Sequence, residues 1–206
     1  MSPRLIAFIT ISTFLCLGHV ASGAEVSLNG RTFHVADGYE ITLVATSPLV
    51  ERPISIALDD TGQLYVTDSG GMSEKADKQL AAMPHRIRRL VDADGDGQFD
   101  SSTMLVDRMM LPEGCLWHEG SLYVAAPPQI WKFTDADGDG VAEKQEVWFD
   151  GKTLTGCAND LHGPYLGRDG WFYWTKGAFA EQTHLLAGDK QLATRASHIF
   201  RSRPDG

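Results

Sequence analysis

The chain has 206 residues, 43% of them hydrophobic, and sets 18 Lys and Arg against 27 Asp and Glu for a net charge of −9. Such an acidic chain argues against nucleic acid as the partner, because holding phosphate takes clustered Lys and Arg. The length suffices for one domain with a real core.

The N-terminus carries one positive side chain, Arg4, then an uncharged apolar run from Leu5 to Leu17, then small residues from Gly18 to Ala24. This three-part pattern predicts a secretory signal peptide over residues 1–23, since its apolar core is too short to span a bilayer comfortably. The competing reading of the same residues is an uncleaved anchor. Cys16 lies inside the run without small residues just before it, which disfavours a lipoprotein anchor. A mature domain of residues 24–206 is therefore expected in the periplasm or outside the cell, with no transmembrane segment. Cys115 and Cys157 remain in it, either as a disulfide or as two buried free thiols.

Beyond the signal the chain repeats itself. Gly62-Gln63-Leu64-Tyr65-Val66 returns as Gly120-Ser121-Leu122-Tyr123-Val124 and again as Gly170-Trp171-Phe172-Tyr173-Trp174. Interleaved with it, the segment Ile87 to Gly97 returns as Ile130 to Gly140, 43 residues later, and Ile199 to Gly206 is a shorter echo. Each unit reads as turn, strand, connection, strand and loop, with β-branched and aromatic runs punctuated by Asp-Gly or Pro. Repetition on this length scale predicts an all-β fold, a partial β-propeller of about three blade-like units. An ordinary sandwich is the alternative, though it does not require the long period. The one helix signal, Ser73 to Met83 with Ser73 as N-cap and Pro84 as stop, reads as an insertion between strands of the first blade. Three units cannot close a propeller and hide its edges, so the chain is expected to be an N-terminal fragment, the first half of a six-bladed propeller.

Two acidic loops follow the repeated strand. Asp92, Asp94, Asp96 and Asp100 alternate along one, and Asp135, Asp137, Asp139 and Glu143 along the other, with Gly97 and Gly140 at the sharp bends. Calcium takes six to eight hard oxygens at flexible distances, and alternate carboxylates on a curved loop supply them. The backbone carbonyls of Gln98 and Val141 are the expected further ligands. Glu146 stands at the twelfth position of the second loop, as in an EF-hand, but Thr103 stands there in the first, so calcium clasped in a β-hairpin is the preferred reading. Asp-Gly clusters also make good turns without any ion.

These residues, together with Phe33 to Glu40, Leu43-Val44-Ala45, Pro53, Asp59 to Val66, Asp160-Leu161-His162-Gly163-Pro164 and Gly177-Ala178-Phe179, resemble the planctomycete and verrucomicrobial "membrane-bound dehydrogenase" domains over residues 31–206. That family is similar to soluble quinoprotein glucose and sorbosone dehydrogenases, six-bladed propellers that hold pyrroloquinoline quinone and calcium. The resemblance implies hydride removal from a sugar or alcohol carbon, with a neutral histidine as base. His162 is the candidate, ahead of Gly167-Arg168-Asp169-Gly170; the family's own base position falls nearer Asn159. Trp174 and Lys176 are the implied cofactor-binding residues beside Asn159, though Trp174 also suits a blade core. Many family members continue into a c-type haem domain; Cys-x-x-Cys-His does not occur here. A non-catalytic, calcium-stabilised propeller that binds carbohydrate or protein is the competing function. His34, His85, His118, His184 and His198 lack metal-ligand spacing and read as surface or strand-end residues. Phosphate-loop, zinc-protease and serine-hydrolase motifs are absent from the sequence.

Overall fold

The structure is a computed structural model that describes residues 23–156, 160–186 and 188–206. The signal peptide, Cys157 and Asn159 lie outside the described residues, and with Cys157 the pairing of Cys115. The chain divides into two compact units, the first ending at Leu43 and the second running from Val44 to Gly206.

The first unit contains a hairpin of β1 (Gly23–Leu28) and β2 (Arg31–Ala36). Its two turn residues, Asn29 and Gly30, both have positive φ. Asn-Gly meets that demand in the turn whose twist suits antiparallel strands.

The second unit is a partial β-propeller. Its first sheet pairs β3 (Pro53–Leu58), β4 (Leu64–Asp68), β5 (His85–Val91) and β6 (Ser101–Met109) in simple antiparallel order. The next repeats that order with β7 (Gly114–His118), β8 (Ser121–Ala126), β9 (Gln129–Thr134) and β10 (Lys144–Asp150). The third has β11 (Leu161–Leu166), β12 (Phe172–Lys176) and, after an inserted hairpin of β13 (Gln182–Leu186) and β14 (Lys190–Thr194), β15 (His198–Ser202). Contacts between sheets concentrate on the first strands, with β3 against β7 and β7 against β11. These strands therefore line the axis, and the later strands fan outward as blades do.

The repeated Leu-Tyr-Val runs become the second strands, β4 and β8, and their apolar side chains fill the space between blades. Tyr65, Ile87, Leu105 and Val106 of the first blade pack with Leu122, Val124 and Phe133 of the second. Trp117 stacks on Tyr65 at 4.9 Å between ring centroids. Ala125 and Ile130 meet Leu161 and Trp174 of the third blade, with Trp148, Phe149 and Phe200 around them. The Leu, Ile, Val and Phe side chains among them that are fully withdrawn from water contribute about 1.5–3 kcal/mol each.

The axial strands approach so closely that a Cβ on Gly114 would lie 2.6 Å from the carbonyl oxygen of Gly163 and 2.9 Å from its nitrogen. Gly114→Ala must push two backbones apart. It is expected to lower stability by about 1–3 kcal/mol, read as an earlier urea midpoint at unchanged slope.

The helix signal is real but shorter than expected. Helix α1 runs Ala76–Ala82 between β4 and β5, with Lys75 rather than Ser73 at the N-cap and no side-chain cap bond. A tertiary acceptor replaces the cap, since the Ala76 amide donates to the carbonyl of Gly156. The C-terminal end closes on Met83 in the left-handed conformation, just ahead of Pro84. No helix among the described residues is long and apolar enough to cross a membrane.

Candidate functional site

Antiparallel order sorts the blades into two ends. The starts of β3, β7 and β11 and the finishes of β4, β8 and β12 share one end, while the loops after β5 and β9 lie at the other. The acidic loops occupy this second end, each joining the third strand of its blade to the fourth.

The two loops match bond for bond. Asp92 accepts from the amides of Gly95 and Gly97, as Asp135 does from Gly138 and Gly140. Asp94 and Asp96 accept from Asp96 and Gln98, as Asp137 and Asp139 do from Asp139 and Val141. Asp100 and Glu143 close the loops on the amides of Ala93 and Ala136. Carboxylate oxygens of Asp135, Asp137, Asp139 and Glu143 lie within 4.8 Å of one another, and so do those of Asp92, Asp94 and Asp100. Asp96 stands apart from the first group. Hard oxygens at this density suit a calcium ion, with Gln98 and Val141 placed on the same loops to add carbonyls. The loops differ in one neighbour: Arg89 of the first blade donates to Asp135 at 2.9 Å and to the carbonyl of Gly138 at 3.1 Å.

The axial end holds the other cluster. His162, on β11, brings Nδ1 within 3.2 Å of Oε2 of Glu113, the residue just before β7. Asp160, 1% exposed, adjoins both and accepts from the amide and hydroxyl of Thr155 at 2.5 and 2.7 Å. Burial, reinforced by the negative charge of Asp160, pushes the Glu113 carboxyl up to about 8. Burial also lowers the His162 imidazole below its ordinary value, against the opposing pull of Asp160. At neutral pH the pair is thus a protonated carboxyl beside a neutral imidazole. Lys176, at the end of β12, is 1% exposed; its ammonium donates to the carbonyls of Gly177 and Ala180, and burial lowers its pKa. The Gly177 amide in turn donates to the Asp160 carbonyl, tying Lys176 to the His162 strand.

Two of the residues expected to hold the quinone, Trp174 and Lys176, do not line one cavity. Trp174 is 97% buried between the second and third blades. It borders a cavity of about 580 Å³ together with Trp148, Phe149, Asp150, Lys152, His184 and Phe200, and Lys176 is not part of that lining. Lys176 has already committed its ammonium to carbonyls. Trp174 and Lys176 therefore do not fit the quinone as a pair.

Sequence reasoning missed Glu113 and Asp160. Asp160 stands two residues before His162 and could have been read with it, but nothing in Pro112-Glu113-Gly114 marks a buried carboxyl. His85, expected at a surface or a strand end, is the first residue of β5 yet fully buried. His34 and His198 are exposed, and His118 and His184 half-buried.

A family model described as a domain of unknown function (DUF7133) matches residues 25–206. No curated protein matches the chain. Among solved structures, a chain in the crystal structure of a nidogen/laminin complex is similar at 16% identity and a TM-score of 0.45, over 84% of this chain and 58% of that one.

Proposed function

We propose that this chain, which belongs to the DUF7133 family, forms the calcium-stabilised opening blades of an exported, six-bladed propeller that oxidises a sugar or alcohol. The observation that carries the reading is the half-buried Glu113–His162 pair at the axial ends of β7 and β11. A neutral imidazole is the form that accepts a hydroxyl proton, and Glu113, once its carboxyl has ionised, stands 3.2 Å from Nδ1 where its charge stabilises the imidazolium that results. The resemblance to the membrane-bound dehydrogenase domains supports the class of reaction, in which the carbon loses hydride as its hydroxyl loses a proton. The resemblance implies pyrroloquinoline quinone as the group that would supply the hydride acceptor when bound, and a c-type haem domain that would take the electrons onward.

The test is turnover. The full-length protein with calcium, pyrroloquinoline quinone, a redox dye and a panel of sugars and alcohols is expected to bleach the dye. His162→Gln should slow it at least about a hundredfold. The rate should rise as pH climbs through the Glu113 value of about 8, because only the ionised carboxylate stabilises the imidazolium, and Glu113→Gln should remove that rise. Absence of turnover with every substrate would sink the reading.

One observation favours the non-catalytic alternative. The aromatic cavity beside Trp148, Phe149 and Phe200 carries Asp150 and Lys152 on its rim, a combination suited to stacking on a sugar ring and bonding its hydroxyls. Glycan binding without dye reduction would select that function instead.

A further inference from the structure

The segment 69–84, which carries α1, leaves the end of β4 and returns at β5 on the same end of the blades as Glu113 and His162. Its neck is narrow, for a Cβ on Gly70 would collide with the Pro84 carbonyl. Beside that neck sits His85, with no exposed surface. The Gly70 amide donates to Nδ1 at 3.2 Å, and Nε2 lies 2.8 Å from Oε1 of Gln79 on α1. Gln79 turns its amide nitrogen to the Glu74 carbonyl at 2.6 Å, so its oxygen faces the ring. A backbone amide can only donate, so Nδ1 must accept and Nε2 must carry the hydrogen. One neutral tautomer satisfies every partner. A second proton would place N–H against N–H at Gly70 and leave a charge in a dry site.

We propose that His85 is a pH-operated latch: neutral, it holds the 69–84 segment down on the first blade, and protonated, it releases it. The release reaches further than the first blade. Ala76 is bonded to Gly156 and packs in the same cluster as Leu154, on the stretch that leads to Asp160 and His162. The latch thereby adjusts one wall of the axial end whatever reaction occurs there.

Of the charges around the ring, Arg86 favours the neutral form. On β5 the nearest is Arg86, which together with burial lowers the imidazole pKa, burial acting more strongly. On β4, Asp68 is engaged by Arg88 and approached by Arg86. On α1 and its approach, Glu74 is paired with Lys78, and Asp77 occupies the first turn. On β6, Arg108 donates to the Ala82 carbonyl. Arg52 lies against Gly71 at the neck. None of the carboxylates among the described residues hydrogen-bonds the ring. Because the latched value is depressed, the open form takes up the proton first. The hold is complete above the ordinary histidine pKa of about 6.5 and is lost as pH falls below it toward the latched value.

Hydrogen exchange of the chain, corrected for intrinsic rates, tests this at pH 7.5, 6.5 and 5.5. Peptides covering 70–84 should lose about tenfold in protection across the range, in line with tenfold per pH unit of differential protonation, while those of β8 and β9 hold steady. In His85→Gln the 70–84 protection should no longer depend on pH. Flat protection in the wild type, or the same fall in the variant, would overturn the latch. Should the variant fail to fold, imidazole ¹⁵N spectra of the wild type decide: a bare Nδ1 with protonated Nε2 at pH 7.5 is expected, and the opposite tautomer or a doubly protonated ring refutes it.

Discussion

Asp68→Ala is expected to destabilise the chain by about 3–5 kcal/mol, the range for breaking a buried ion pair from one side. Asp68 ends β4 with no exposed surface. One carboxylate oxygen accepts from the amides of Glu51 and Arg52 at 3.2 and 2.6 Å, which fixes how the chain turns into axial strand β3. The other accepts from Nε of Arg88 at 2.8 Å, while Arg86 stands by at 3.7 Å, beyond hydrogen-bonding reach. Alanine would strand one guanidinium that is 13% exposed and two backbone donors. Asp68→Asn retains an acceptor for the amides and removes the charge, so it should fall between the two. Urea midpoints of the three proteins check the order. An unchanged midpoint for alanine would mean that water replaces the carboxylate.

Calcium removal should be felt on a similar scale. A ligand that binds only the folded state at a hundredfold its Kd adds about 2.7 kcal/mol per site, so two filled loops add about 5 kcal/mol. Chelation is then expected to lower the Tm by about 10–20 °C, at the 2–4 °C per kcal/mol usual for this size. Alanine in the loops would confound turn chemistry with ion binding, because each aspartate also caps a backbone amide. Asp94→Asn and Asp137→Asn keep that acceptor and drop the charge. Each should weaken one calcium isotherm by titration calorimetry with little change in the Tm of the chelated protein. A Tm indifferent to chelator would reduce the loops to turns.

The blades were legible because their signals are local. Leu-Tyr-Val at β4 and β8, the Asp-Gly turns and the insertion near residue 76 each depend on neighbours a few positions away. The helix N-cap was not, because the acceptor for the Ala76 amide comes from Gly156 in another blade. Glu113 escaped for the same reason. Its altered acidity arises from burial and from Asp160, 47 positions along the chain, which only the packing of β7 against β11 brings near. The inserted hairpin of β13 and β14 carries no echo of the repeat, so the periodic pattern passed over it.

The reach of Arg89 into the second acidic loop bears on how the chain is made. Each complete blade is built from one continuous stretch, so it can fold as it emerges from the ribosome without waiting for distant sequence. Some first-blade groups must nevertheless wait for later sequence, and Arg89 is a charged one among them. Its partner Asp135 lies 46 residues downstream, so the nascent first blade carries that cation without its partner until the second blade has nearly been synthesised. The two blades then lock in a fixed order, and the arginine that closes the joint was translated long before the loop it closes on.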